Sequence, residues 1–212
     1  MRSLKVIHSG QVPFAEALRK QLEWVEIKRS QPQYPDLLWL LSHPPVITIG
    51  ASQGAEDELL HKTDIPVHRI SRGGSITYHD PGQITGYLIF RLDEPERDLR
   101  NFLRKIETSL IETLNHLIDK DASQAHRVPG KTGVFLGQKK ICSIGTACRH
   151  WITYHGFSMN FESNLENYKL MNPCGMEAEI MGNISELTEI TRKDFLQEYP
   201  RICAEEFNLY SP

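Results

Sequence analysis

Apolar residues recur at helical spacing in three stretches of this 212-residue chain. From Pro13 to about Lys28, Phe14, Ala17, Leu18, Leu22 and Val25 fall on one stripe and Arg19, Lys20 and Glu23 fall opposite, which predicts an amphipathic helix. A longer stretch, from about Arg97 to Asp119, sets Leu99, Phe102, Leu103, Ile106, Leu110, Leu114, Leu117 and Ile118 three and four apart, the stripe of a helix lying on a core. A third helix begins near Thr191, where Thr191 and Asp194 have the spacing of a capping box, and carries Phe195, Tyr199, Ile202 and Phe207.

Between these stretches the pattern shortens to β-type runs broken by turn residues: LLWLL ending at Ser42, VITIG after Pro44-Pro45, VHRIS, SITYH, QITGYLIF, GVFLGQKKICSIG and HWITYHGFSMNF. Gly137-Gln138 sits where a hairpin turn is needed. Strands bunched into hairpins, with helices before, between and after them, predict an α+β fold: a mixed, largely antiparallel sheet flanked by helices. No repeat, low-complexity tract or Pro/Gly/Ser linker divides the chain, so residues 1–212 are expected to form a single catalytic domain.

Composition narrows the function. A formal charge of −3 and a pI near 6.3 exclude a strongly cationic protein that coats nucleic acid. No run approaches the roughly 18 apolar residues of a membrane span, and the N-terminus lacks the apolar core of a leader peptide. Four cysteines without a CxxC pair argue against a disulfide framework or a zinc site, and predict reduced thiols in the cytoplasm. With neither GxxxxGK[ST] nor GxGxxG, the chain lacks the usual parts for holding a nucleotide.

Four segments carry residues suited to chemistry, and each also has a plain reading. Arg72-Gly73-Gly74-Ser75-Ile76-Thr77-Tyr78-His79-Asp80-Pro81-Gly82-Gln83 offers a close-approach backbone beside a cationic fork, or is a strand between two turns. In GQKKICSIG, extended geometry puts Lys140, Cys142 and Ile144 on one face and Lys139, Ile141 and Ser143 on the other, so one lysine can point inward; the alternative is two solvated lysines at a hairpin end. Cys174, in Asn172-Pro173-Cys174-Gly175, sits on stiff, tightly turned backbone after a short helical turn over about Glu166 to Met171, and is a nucleophile or a structural thiol. Cys142 and Cys203 fall at core positions. His155, in HGFSMN, is a partner for a cysteine nucleophile or a satisfied structural histidine.

Taken in order, HPPVITIG, RGGSITYHDPGQ, GQKKICSIG, HGFSMN and NPCG resemble the successive motifs of the lipoyl(octanoyl) transferase family, over about residues 35 to 180. That resemblance implies the fold shared by biotin and lipoate protein ligases. It implies transfer of an octanoyl group from octanoyl-acyl carrier protein to a lysine of lipoyl domains, those of 2-oxoacid dehydrogenases and the glycine cleavage H protein, with no cofactor, metal, nucleic acid or membrane. It assigns the thioester-forming cysteine to Cys174 and its partner lysine to Lys140. Substrate binding falls on Arg72, Gly73, Gly74, Ser75, Ile76, Thr77, Tyr78 and His79, on Ser143, Ile144 and Gly145, and on Gly156, Phe157 and Ser158. The chain departs from the family in having Asp80 where YHGPGQ has glycine, and Ser158 where a small apolar residue is common.

A thioester donor already carries an activated acyl group, so exchange onto Cys174 needs no ATP. A free thiol of pKa about 8.5 is only slightly ionised at neutral pH, so the expectation is that Lys140, or failing it His79 or His155, assists. Backbone amides of Gly73-Gly74 or Gly145 are candidates for stabilising the oxyanion. Ile76, Ile144 and Phe157 are candidates for the acyl tunnel. Arg72, Lys139 and Arg149 are expected to form a basic patch for an acidic carrier. The rivals are an ATP-dependent lipoate or biotin ligase, a thioesterase using Cys174 with His155, and a non-catalytic carrier-binding module.

Overall fold

The segment Asp36–Ser42, DLLWLLS, is buried along its whole length, which marks a strand covered on both faces. The computed structural model describes residues 2–210, apart from the side chain of Cys174. Its elements are β1 (Leu4–Gln11), α1 (Phe14–Ser30), β2 (Asp36–Ser42), β3 (Val46–Ile49), β4 (Val67–Arg69), β5 (Ile76–His79), β6 (Gln83–Ile89), α2 (Leu99–Leu117), β7 (Ala125–Val128), β8 (Lys131–Leu136), β9 (Lys139–Arg149), β10 (Ile152–Asn160) and α3 (Arg192–Glu206), with short 3₁₀ turns between β10 and α3.

Seven strands form the main sheet in the order β1-β2-β6-β10-β9-β8-β7. Only β1 and β2 run parallel, joined through α1; the other pairs are antiparallel. A second sheet, β4-β3-β5, is separate. On one face of the main sheet α2 and α3 bury Phe102, Ile106, Leu110, Phe195 and Tyr199 against Leu38, Leu40, Leu88 and Phe157. On the other, α1 packs Ala17, Trp24 and Val25 onto Leu37, Trp39, Tyr87 and Tyr154. The small sheet has its own cluster, in which Ile47, Ile49, Ile76 and Tyr78 meet Tyr168, Met171 and Met181.

The three helices and the strands expected from periodicity are all present. Asp98 caps α2 by accepting from the N–H groups of Arg100 and Asn101, and Thr191 with Asp194 forms the expected capping box on α3. Gly137 turns the β8–β9 hairpin with φ +57°, a conformation glycine adopts without cost. The sequence pattern did not mark β1, β7 or the division into two sheets. β1 and β7 are edge strands, each with a single buried residue, so neither shows a period-two signal. No helix among the described residues is long and apolar enough to cross a membrane.

One ion pair is enclosed in this framework. Lys28 Nζ lies 2.7 Å from Asp36 Oδ1, both side chains being shut off from solvent. The lysine also donates to the Tyr34 carbonyl at 2.6 Å. Asp36 in turn accepts from the Arg91 N–H at 3.0 Å, so the pair ties α1, β2 and the end of β6 together. Burial pushes the lysine's pKa down and the aspartate's up, and their mutual attraction opposes both shifts. Arg2 Nε, 3.4 Å from the other Asp36 oxygen, compensates that carboxylate only in part, so removing Lys28 still costs up to about 3–5 kcal/mol. Lys28→Met should therefore lower the urea midpoint sharply, while Lys28→Met combined with Asp36→Leu should recover much of the loss. A double variant as unstable as the single one would show that the pair is not what holds this corner.

Candidate functional site

The loop Arg72-Gly73-Gly74 bridges the two sheets. The Gly73 N–H donates to the Thr146 carbonyl on β9 at 2.8 Å. Its carbonyl lies so close to Gly145 that a Cβ there would come within 2.7 Å of it. On the other side, a Cβ on Gly50 would meet the Gly74 carbonyl at 2.2 Å. Side chains at 50 and 145 would push the loop off the sheets; glycine admits it.

Arg72 fixes the loop from inside. It is 8% exposed, and its guanidinium donates to the Thr48 carbonyl at 2.8 Å, to Thr48 Oγ1 at 2.9 Å and to the Gly73 carbonyl at 3.1 Å. A relay continues from there. Gln83 Nε2 donates to the Tyr78 carbonyl at 3.0 Å, so Gln83 Oε1 faces His79 and accepts from its Nδ1–H at 3.2 Å. His79 Nε2 is then left to accept from the Thr48 hydroxyl at 3.3 Å. Burial holds His79 neutral, its pKa well below the ordinary histidine value, with the Arg72 charge acting in the same direction.

Beneath this loop lies a narrow cavity between the small sheet and the α1 side of the main sheet. Arg72, Gly74, Ile76, Thr77, His79, Ser143, Ile144, Gly145, Gly156, Phe157 and Ser158 all line it. Phe14, Ile70, Thr85, Tyr87 and His155 complete it; the first four carry no mark in the sequence, because they sit on helix, loop and strand positions that also read as core. At one end the Tyr87 hydroxyl donates to His43 Nε2 at 2.7 Å, and His43 Nδ1–H donates to the Val12 carbonyl at 2.6 Å. Burial depresses His43 to a pKa of about 4, and His155 to about 3 with a further push from Arg72. Both are neutral at physiological pH, so neither supplies a cation to a thiol.

A more open mouth adjoins the cavity, sharing Gly74, Ile144 and Gly145 with it. Gly73, Ser75 and Lys140 border this mouth, as do Gly175 and Met176. Ser75 donates to Glu58 there. Tyr78 borders neither space: its ring packs into the small-sheet cluster and its hydroxyl accepts from Asn167 Nδ2 at 2.7 Å.

Lys140 is 1% exposed while Lys139 is solvated and donates to the Glu179 carbonyl at 2.6 Å, so the two lysines do face different surroundings. The strict alternation expected beyond them is broken. Val134 pairs with Cys142 but Phe135 with Lys140, so β9 holds one extra residue at Ile141, and 140, 141 and 142 are buried in succession. The Lys140 carbonyl accepts from the Gly182 N–H at 3.1 Å, but its side chain makes no hydrogen bond or ion pair among the described residues.

Cys174 belongs to a 3₁₀ turn, Pro173–Gly175, whose Gly175 has φ +69°. Its side chain lies outside the described residues. Cys142 and Cys203 are buried core thiols; burial raises both pKa values, that of Cys203 to about 12. Asp80 needs no left-handed backbone. It closes its turn by accepting from the Gly82 N–H at 2.9 Å, and its other oxygen accepts from Ser163 Oγ at 3.0 Å and the Asn164 N–H at 2.7 Å. Aspartate here ties the loop to the segment after β10.

The expected basic patch is not assembled. Arg72 is internal, and Arg149 lies at the far end of β9 beside Glu26, 3.7 Å away. The cations beside the mouth are instead Arg100, Arg104, Arg127 and Lys131, which line a groove sharing Leu103, Gly130, Lys131 and Thr132 with it. Glu107, between Arg104 and Arg127 at 3.1 and 2.9 Å, offsets one of the four charges.

A family model of the lipoyl protein ligase A/B catalytic domain matches residues 16–204. The chain belongs to that family. Over 180 residues it is 41% identical to an octanoyltransferase of Caldicellulosiruptor bescii, covering 82% of this chain and 77% of the relative. Its chemistry is octanoyl transfer in protein lipoylation, an acyltransferase reaction. The expected fold relationship holds as well. A structure of a bipartite lipoate protein ligase with its E2 lipoyl domain from Thermoplasma acidophilum superposes with a TM-score of 0.77 at 19% identity, covering 100% of this chain and 86% of that one. A biotin protein ligase of Aquifex aeolicus, in complex with biotin and ATP, gives 0.53 at 12% identity, covering 98% and 71%.

If the loop-to-sheet contact governs the site, Gly145→Ala should displace Gly73 while leaving the core intact. The expected result is a loss of acyl transfer of about 100-fold, the scale of an ångström's misplacement, with an unchanged circular dichroism spectrum. Full activity in that variant would mean that the loop tolerates a Cβ and does not set the site's geometry.

Proposed function

We propose that the chain carries the octanoyl group on Cys174, taking it from an acyl carrier protein and passing it to a lysine of a lipoyl domain, with Lys140 as the group that serves the thiol. The observation that carries this reading is Lys140 itself. Its stem is buried, its ammonium has no side-chain partner among the described residues, and it borders the mouth that Gly175 and Met176 also border.

The steps balance without a cofactor. The Cys174 thiol passes its proton to Lys140, and an ammonium within about 4–6 Å favours the resulting thiolate. The thiolate attacks the donor thioester carbonyl; the carrier's thiolate departs and takes the proton from the Lys140 ammonium, leaving a neutral amine. The acceptor amine then attacks the enzyme thioester, forming an amide and releasing the Cys174 thiolate, while its surplus proton passes to the Lys140 amine. The acyl chain lies in the cavity between the small sheet and strands β6, β9 and β10. The Gly145 N–H and its neighbours at the mouth are within the set that can receive the oxyanion. Lipoyl domains of 2-oxoacid dehydrogenases and of the glycine cleavage H protein are the proposed acceptors, met in the cytoplasm, where thiols stay reduced.

Intact mass measurement after incubation with octanoyl carrier protein tests the first half. Wild type should gain one octanoyl group and Cys174→Ala none, while Cys142→Ala, Cys148→Ala and Cys203→Ala still label. Labelling that persists in Cys174→Ala would sink the assignment. Lys140→Met should slow acylation by about 100-fold or more, the range of a lost acid–base group, and move the limb of the Cys174 alkylation profile to higher pH. Lys139→Met, removing a solvated charge, should change the rate by no more than about threefold.

The cationic groove beside the mouth is the proposed landing site for an acidic carrier. Arg104→Glu with Lys131→Glu should raise KM for octanoyl carrier protein about tenfold at low salt, and added salt should do the same to wild type. Octanoyl-pantetheine, which lacks the carrier, should be used equally well by both. An unchanged KM for the carrier would place the landing surface elsewhere.

A further inference from the structure

The cavity that takes the acyl chain is not uniformly apolar, and three of its polar atoms are stranded. Thr77 Oγ1 on the small sheet, and Thr85 Oγ1 and His155 Nε2 on the main sheet, are cut off from solvent and have no hydrogen-bond partner among the described residues. The three residues are 5%, 1% and 3% exposed, and all line the cavity. Buried polar atoms of this kind are rare in folded proteins and point to a water or to a polar ligand atom that completes them.

Their place in the sheet says which part of the chain they meet. The mouth is bordered on β9, by Lys140, Ile144, Gly145 and Thr146, whereas Thr85 is on β6. Ser143 pairs with Ser158, and Ser158 with Thr85, so three hydroxyl-bearing residues run side by side from β9 across β10 to β6. Two strand spacings are about 10 Å. An extended chain advances about 1.2 Å per bond, taking three backbone bonds as up to about 3.6 Å, so the seven carbon–carbon bonds of an octanoyl group reach about 8–9 Å. A chain held at the mouth therefore spans most of this row, its last carbons running toward Thr85. A methyl end cannot satisfy the hydroxyl it approaches.

We propose that the inner end of this cavity is a polar subsite, and that the enzyme accepts acyl chains bearing a hydroxyl on a terminal carbon in addition to the plain octanoyl chain. The proposal rests on the acyl-transfer reading above and adds a second substrate class to it. Neutral His155 offers an acceptor or donor and Thr85 offers both, so either can take a hydroxyl on the chain. Ser158, paired with both Ser143 and Thr85, extends the polar row.

The test compares kcat/KM for 8-hydroxyoctanoyl-pantetheine and octanoyl-pantetheine, in wild type and in Thr85→Val, which keeps the side chain's shape and removes the hydroxyl. The ratio of hydroxylated to plain substrate should fall at least fivefold in Thr85→Val and stay within twofold of wild type in Thr85→Ser. Should Thr85→Val fold poorly, Thr85→Ala must show the same fall. A ratio that falls less than fivefold, or that falls equally in Thr85→Ser, overturns the subsite. Because octanoyl-pantetheine is measured in every variant, absence of any transfer from it in wild type would be a failure of the acyl-transfer reading and is told apart from a failure of this one.

Discussion

The site depends on one backbone contact, the Gly73 peptide lying against Gly145 and Thr146. The small sheet and the main sheet share no strand pairing. Their separation over the acyl cavity is therefore set by how closely this loop approaches β9. A hydrogen bond of ordinary strength fixes the position, and the absence of a Cβ at 145 and 50 permits it. Arg72 then serves as an internal strut. Its guanidinium is consumed by Thr48 and by its own loop, which is why a residue that reads as a surface cation turns out to be part of the framework.

A series of buried polar groups follows from that strut. Arg72, Thr48, His79, Gln83, Asn160 and Tyr168 are linked through hydrogen bonds in which each amide or ring orientation is forced by its neighbour. Networks satisfied in this way are rigid, and breaking one member leaves others unpaired at a cost of about 1–3 kcal/mol each. The RGGSITYHDPGQ segment thus has two jobs: its first half shapes the roof over the cavity, and its second half, through Asp80 and Gln83, anchors that roof to the segment following β10.

Much of this was legible in the sequence. Helical periodicity located α1, α2 and α3 to within a few residues, because each has a single apolar stripe facing a sheet. The ordered motifs drew attention to the residues that the fold gathers around the cavity and its mouth. What could not be read was set by tertiary context. Phe14 and Tyr87 look like any core aromatic until the cavity is seen between them. The bulge at Ile141 defeats the simple alternation of β9, since an extra residue in a strand leaves no mark on composition. The basic groove draws Arg100 and Arg104 from α2, Arg127 from β7 and Lys131 from β8, residues that linear spacing gives no reason to group.

The position of β10 has a consequence for how the molecule comes together. This strand is inserted between β6 and β9, so its neighbours are one nearby partner and one some seventy residues earlier in the chain. β6 and β2 likewise pair across about fifty residues. Contacts so distant in sequence are formed only after large loops have been closed, and chains dominated by them fold slowly compared with helical proteins of equal size. The cavity floor contains residues from β6, β10 and β9 and exists only once β10 is in place. A partly folded chain therefore presents neither the acyl cavity nor its mouth, and the capacity to bind an acyl chain arrives late, together with the completed sheet.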